Sequence, residues 1–266
     1  GGQLRVQAFC TAADAAPWGS ASDAPTISAA SPACRNERTH PGAADVSMGC
    51  TARRGREAAV TSPEDESRIA RAPVADPARA ALREGLLAAR RRPTEPGRRA
   101  ANDALVERLD ALLGDVGGLA VALYWPIRGE PSLGPLPERW ARAGARTALP
   151  VVDAPRTPLR FVAWRPGEPT VPGVWNIPRP AADVAIRPDV VIVPCVGFTA
   201  DAHRLGYGGG FYDRSFAALD ADGGTPPRAI GVAWDEARLD AFEPLPTDRP
   251  LDAVVTPSAT YRRVAG

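Results

Sequence analysis

The chain contains no lysine: all 32 of its basic residues are arginine, set against 31 acidic residues, two histidines and one methionine. The missing lysine reads as a coding bias rather than a functional signature. A formal charge of +1 leaves no electrostatic footprint for a nucleic-acid partner. No window approaches the roughly 18 consecutive apolar residues of a membrane helix, and the first residues lack the apolar centre of a signal peptide. The expected setting is the cytoplasm, with no membrane partner. Four cysteines are present, and Cys10, Cys34, Cys50 and Cys195 fit neither zinc-ligand spacing nor a compact disulfide scaffold. Cys195 lies in an apolar run and is expected to be a small core residue, since no histidine stands in a pattern that would activate it as a nucleophile. His40 falls in a polar stretch, and His203 is not assigned as a base.

The 266 residues, 44% of them hydrophobic, suffice for one or two domains. Residues 1–75 are rich in Ala, Ser, Pro, Thr and Arg, with Phe9 and Trp18 as their only aromatics. That composition cannot bury enough apolar surface to offset ordering entropy, so a disordered or non-native extension is expected. Its acidic residues, Asp14 and Glu37 among them, argue against a transit peptide. Order is expected from Asp76, which can cap a helix that has Pro77 in its first turn, so 76–266 forms the folded domain. That helix ends at Pro93, and a second, at about 97–113, closes at Gly114. A short helix lies near 137–143. Apolar runs at 118–125, 146–152, 158–164, 189–195, 228–234 and 252–257 read as strands. Alternation with helices predicts an α/β fold: a mostly parallel, Rossmann-like sheet with helices on both faces, in three layers.

The most informative segment is HRLGYGGGFYDRSFAALD, residues 203–220. It follows the apolar run DVVIVPCVGF (189–198) and precedes a helix-like stretch. Strand, glycine-rich turn and helix together can cradle phosphate, because successive backbone N–H groups line an anion nest. Gly206, Gly208, Gly209 and Gly210 let backbone approach a ligand closely. A tight turn or a plain helix start would use the same glycines. The segment is neither a Walker A loop nor a dinucleotide-binding GxGxxG, because Phe211 stands where the last glycine belongs. Elsewhere, Arg79 and Arg83 share a helix face, as a solvated basic face or as an anion clamp. Glu130 would serve equally as an ordinary loop carboxylate, and Trp175 as a packed aromatic.

VPCVGFTADAHRLGYGGGFYDR, residues 193–214, closely resembles the signature of the 5-formyltetrahydrofolate cyclo-ligase (5,10-methenyltetrahydrofolate synthetase) family, and the resemblance runs from about Asp76 to about Thr256. It implies an enzyme that turns 5-formyltetrahydrofolate and ATP, with Mg²⁺, into 5,10-methenyltetrahydrofolate, ADP and phosphate. It implies ATP contacts at Arg79, Arg83 and at Arg204, Leu205, Gly206, Tyr207, Gly208, Gly209, Gly210, Phe211 and Tyr212, with catalytic roles for Arg204 and Tyr212. The folate is implied at Trp125, Glu130, Trp175 and the stretch Tyr207 to Phe211. Asp213 and Asp248 are the implied Mg²⁺ ligands, with Asp252 the nearby competitor for the second place and a surface turn the other role for Asp248. Two departures stand out. Arg79 occupies a position where the family carries a Lys, exchanging a compact ammonium for a planar fork. Thr247 replaces a His that many relatives carry before the second Asp, in a shortened segment.

The substrates implied are small molecules only, and a monomer is expected. Two other classes compete with the cyclo-ligase. One is a non-catalytic nucleotide- or folate-binding homologue, which would bind ATP without consuming it. The other is a sugar-phosphate or coenzyme A enzyme on a related sheet, which needs a dedicated acid–base pair that the sequence does not display.

Overall fold

The computed structural model describes residues 76–91 and 95–263; the expectation for residues 1–75 lies outside them. Helix α1 (Pro77–Ala89) starts as its sequence dictates. The Asp76 carboxylate accepts the Ala78 amide at 2.9 Å, and Pro77 occupies the first turn. It stops at Ala89, with Arg90 as the cap, rather than running on to Pro93. Helix α2 (Glu95–Leu113) closes at Gly114, whose φ of 66° provides the left-handed cap and whose amide bonds Asp110 at 2.9 Å.

The strands of the main sheet are β1 (Ala120–Ala122), β2 (Arg146–Val151), β3 (Arg160–Ala163), β6 (Val190–Pro194), β9 (Arg228–Val232), β10 (Ala253–Val255) and β11 (Thr260–Arg262), and they run in the order β11-β10-β9-β6-β1-β2-β3. The five inner strands are parallel, and the edge strands β3 and β11 are antiparallel to their neighbours. Two hairpins stand apart: β4 (Thr170–Pro172) with β5 (Pro178–Pro180), and β7 (Gly197–Phe198) with β8 (Arg204–Leu205). Helices α3 (Leu136–Arg142) and α4 (Phe211–Ala221) complete the elements the site needs.

Alternation along β6 explains the three layers. Val190 and Ile192 join Leu105, Leu109 and Trp140 of α2 and α3 on one face. Val191 and Val193 join Phe198 and Phe216 on the other. A central strand covered on both faces must be apolar throughout, which is why VVIVP was legible as one. Carboxylates tie neighbouring strands together: Asp189 accepts the Ala120 amide and Asp252 the Ala229 amide, each at 2.7 Å. Asp252 is thereby committed to the sheet.

Gly231 of β9 sits where a Cβ would lie 2.6 Å from Leu251, 3.0 Å from the Cys195 sulfur and 3.1 Å from Val254. Gly231→Ala is expected to cost about 1–3 kcal/mol by overpacking, or roughly 3–10 °C in melting temperature. A thermal melt followed by circular dichroism checks this.

From β1 the chain steps to β2 on one side, and from β6 it steps to β9 and β10 on the other. The order therefore reverses between β1 and β6. Open sheets of this kind hold ligands beyond the carboxyl ends of the strands at that reversal. Beyond β1 lies the segment carrying Trp125 and Glu130, and beyond β6 lies the glycine-rich loop.

Candidate active site

Helix α1 aims a stripe of arginines at that reversal. Arg79, Arg83 and Arg90 are spaced i, i+4 and i+11, which places them on one face. Arg79 is 7% exposed. It donates to the Asp248 carboxylate at 2.8 Å and to the Glu243 carbonyl at 3.1 Å, and its guanidinium lies over the Phe242 ring. The Arg83 Nε donates to the Gly206 carbonyl at 2.7 Å. Burial, then the charge of Arg79, lowers the Arg83 pKa, with the Asp248 and Asp76 carboxylates acting against them, so the two cations share one space in which Asp248 is already paired with Arg79.

The glycine loop needs glycine for definite reasons. Gly208 has φ 93°, and a Cβ there would meet the Arg83 guanidinium carbon at 3.4 Å. Gly210 has φ 63° and opens α4. Helix α4 thus begins directly behind the loop and points its N-terminus along it, an arrangement that favours anions. The hairpin β7–β8, which the sequence does not betray, brings Arg204 and Leu205 back beside Gly197 and Phe198.

Arg204 is buried, donating to the Arg249 carbonyl at 2.9 Å and to Oδ1 of Asp213 at 2.5 Å. The Arg249 amide also approaches Asp213 Oδ1 at 3.3 Å, so Asp213 and the Asp248–Arg249 segment adjoin. Asp248 uses Oδ2 for both Arg79 and the Leu245 amide. The other oxygens, Oδ2 of Asp213 and Oδ1 of Asp248, accept no hydrogen bond from the described residues. Two carboxylates with one uncommitted oxygen each match Mg²⁺, which takes one or two carboxylates and fills its remaining positions with water and phosphate. Among the described residues no cluster of three or more His, Cys, Asp or Glu could cage a metal.

Glu130 lies deeper, 7% exposed. Its Oε2 accepts the Ile127 amide at 3.0 Å, and the nearby Tyr207 hydroxyl favours its charged form. Desolvation raises its pKa to about 7 against these contacts and against the charges of Arg90 and Arg128. Burial, and then Glu130, likewise pushes the Tyr212 hydroxyl up. Arg90 was not singled out from the sequence, although its place on the Arg79–Arg83 face was a signal for it. It is 5% exposed and donates to the Tyr207 hydroxyl and the Cys195 carbonyl, both at 2.9 Å. Trp125 packs edge-on against Trp164, and Trp175, 64% exposed, meets the Phe211 edge at 5.7 Å from a left-handed φ of 55°. Cys195 is buried, with its thiol pushed up to about 12 by desolvation, as a core residue should be. His203 pairs with Asp201 at 3.0 Å.

The model of the 5-formyltetrahydrofolate cyclo-ligase family matches residues 75–257. The chain belongs to this family of enzymes. The Escherichia coli K12 5-formyltetrahydrofolate cyclo-ligase is 35% identical over 147 residues, 53% of this chain and 79% of that protein. The Mycolicibacterium smegmatis relative of the same name is 33% identical over 184 residues, 66% of this chain and 92% of that protein. The NMR structure of Aquifex aeolicus 5,10-methenyltetrahydrofolate synthetase aligns with a TM-score of 0.60 at 26% identity, covering 71% of this chain and 94% of that one. A Mycoplasma pneumoniae synthetase shares the fold, with a TM-score of 0.55 at 23% identity over 67% of this chain and 98% of that one.

Within the family frame, the expected phosphate and metal residues (Arg79, Arg83, Arg204, the glycines, Asp213 and Asp248) come together around one loop. Glu130 and Tyr207 form a second cluster that shares Tyr207 with that loop. Trp175 leans over Phe211 at the rim, whereas the ring contact of Trp125 is with Trp164.

Proposed function

We propose that this protein cyclises 5-formyltetrahydrofolate to 5,10-methenyltetrahydrofolate with consumption of ATP and use of Mg²⁺. The observation that carries the reading is the joining of α1 to the glycine loop across 123 positions, through Arg83 and the Gly206 carbonyl. It sets fixed positive charge, loop amides and two carboxylates around one space.

A formamide oxygen is a poor leaving group. Transfer of the γ-phosphoryl group to that oxygen gives an iminium phosphate and ADP. N10 then attacks the formyl carbon, its proton departs, and the C–O bond breaks with release of phosphate. No protein nucleophile is required; positioning and charge stabilisation suffice. Arg79, Arg83 and Arg204 neutralise phosphate oxygens, and the amides from Gly206 to Gly210 donate to them. Asp213 and Asp248 would hold Mg²⁺, which supplies further charge neutralisation at the phosphates when bound. Glu130 accepts paired N–H bonds from the aminopyrimidinone ring, and Trp125 and Trp175 border the flat substrate. Tyr212 opens α4 beside Asp213 and packs on Phe216, where it would act at the reacting groups.

The test is absorbance at the methenyl-folate band after mixing protein, 5-formyltetrahydrofolate, Mg²⁺ and ATP. A rise that requires ATP is the expected result. ATP binding by calorimetry without any rise would sink the catalytic reading and leave a binding homologue.

A further inference from the structure

Two buried arginines grip the segment that carries Asp248, and they do so in the same way. Arg79 of α1 gives one guanidinium nitrogen to the Glu243 carbonyl at 3.1 Å and the other to Oδ2 of Asp248 at 2.8 Å. Arg204 of β8 gives one to the Arg249 carbonyl at 2.9 Å and the other to Oδ1 of Asp213. Residues 243–249 are thus held near one end by α1 and at the other by β8. In each carboxylate, the oxygen that takes the arginine also takes a backbone amide: Leu245 at 2.9 Å for Asp248, and Arg249 at 3.3 Å for Asp213. Both bonds fall on one oxygen, and the second oxygen is left for a metal.

Arg79 has little freedom left for other partners. Its side chain is 9% exposed, and its guanidinium lies over the Phe242 ring, 5.2 Å from the centroid. Asp248 meanwhile closes its own turn, with its amide donating to the Leu245 carbonyl at 2.9 Å. A planar fork fixes direction as well as distance, which a single ammonium does not. We propose that Arg79 is a positioning residue for the metal: its fork holds the Asp248 carboxylate so that Oδ1 meets Mg²⁺, and its hydrogen bonds serve this segment while only its charge serves the phosphates. This rests on the assignment of Asp213 and Asp248 to Mg²⁺ given above.

Two effects of Arg79 oppose each other. A cation beside Asp248 reduces the negative charge that a metal meets there. The fork, in return, removes the freedom of the carboxylate to turn away. Loss of a hydrogen-bonding partner behind a metal ligand costs about 10–100-fold in metal affinity, so alignment outweighs charge competition. Replacing Arg79 by Lys keeps the charge and removes the fork, which isolates the second effect.

The experiment titrates ATP into the full chain by calorimetry, without folate, once in EDTA and once with excess Mg²⁺. The proteins are wild type, Arg79→Lys, Asp248→Asn and the double variant Arg79→Lys/Asp248→Asn. The ratio of the two affinities is the gain that the metal brings on the protein, and in wild type Mg²⁺ is expected to tighten binding. Arg79→Lys is expected to leave the affinity in EDTA within about twofold, because the charge is kept, and to cut the gain from Mg²⁺ about tenfold. Asp248→Asn is expected to cut the gain as well, with the double variant adding little, because Arg79 acts through that carboxylate. If Arg79→Lys does not fold, Arg79→Gln is put through the same cycle, and the same loss of gain, absent in the Asp248→Asn background, is expected. An undiminished gain in the Arg79 variant, or additive losses in the double, overturns the inference and makes Arg79 a direct donor to phosphate. A wild type whose ATP affinity ignores Mg²⁺ overturns the metal assignment and this inference with it. A wild type that shows the gain and its loss, yet forms no methenyl product, overturns the assigned reaction while leaving the role of Arg79 standing.

Discussion

Asp213→Asn is expected to lower turnover about a thousandfold. On the proposed function one of two carboxylates for Mg²⁺ is lost, and metal ions supply several kcal/mol of charge stabilisation at a transferring phosphoryl group. About 4 kcal/mol corresponds to three decades in rate. The same change acts on the fold, because Asp213 is the carboxylate partner of buried Arg204. The asparagine carbonyl still accepts a hydrogen bond, and Arg204 keeps the Arg249 carbonyl at 2.9 Å. The stability cost is therefore about 1–3 kcal/mol, visible as a lower melting temperature but not as an unfolded chain. Metal loss and misfolding separate in one titration. Weakened metal binding makes the rate climb with added Mg²⁺ beyond the point where wild type saturates, and ATP binding without Mg²⁺ is retained. Wild-type turnover with the ordinary Mg²⁺ dependence would remove Asp213 from the site.

Arg83→Ala is expected to raise the ATP KM by about 10–100-fold, the loss of one or two charge-assisted hydrogen bonds at about 1.5–3 kcal/mol in total. Its effect on stability is expected to be small. Arg83 is only partly buried, and burial and the neighbouring Arg79 both disfavour its charge in the free protein. Removing it loses the bond to the Gly206 carbonyl at 2.7 Å but relieves like-charge repulsion. The measurements are initial rates with ATP varied at saturating folate, together with a melting curve. Arg83→Lys keeps the charge without the fork and is expected to fall between the two. An unchanged ATP KM would mean that Arg83 serves only to brace the loop.

Much of the fold was legible because inner parallel strands, buried on both faces, are written as unbroken apolar runs. VVIVP and RAIGV are β6 and β9 within a residue or two of where periodicity places them. Helix α1 was legible from Asp76 and Pro77, whose cap geometry is local. The hairpin β7–β8 was not, because its strands are two residues each and are made by tertiary pairing rather than by pattern. Arg90 escaped notice for a different reason. Among 32 arginines, its burial beside Tyr207 is a property of the packed α1, and the face it shares with Arg79 and Arg83 gains meaning only once that face is known to point inward.

The sequence by itself determined the sheet class, the helices and six of the seven strands of the main sheet (β11 and the hairpin strands β4, β5, β7 and β8 went unread), the glycine loop with its helix, and the chemistry available, because each depends on local propensity and on the period of apolar residues. Only the tertiary structure decided which charges meet. Arg79 joins Asp248 across 169 positions, and Arg83 joins Gly206 across 123. Asp252 turns to its neighbouring strand, while Asp248 turns to the site. Those partnerships follow from the reversal of strand order between β1 and β6. That reversal arises from long-range pairing, and no local window of the chain encodes it.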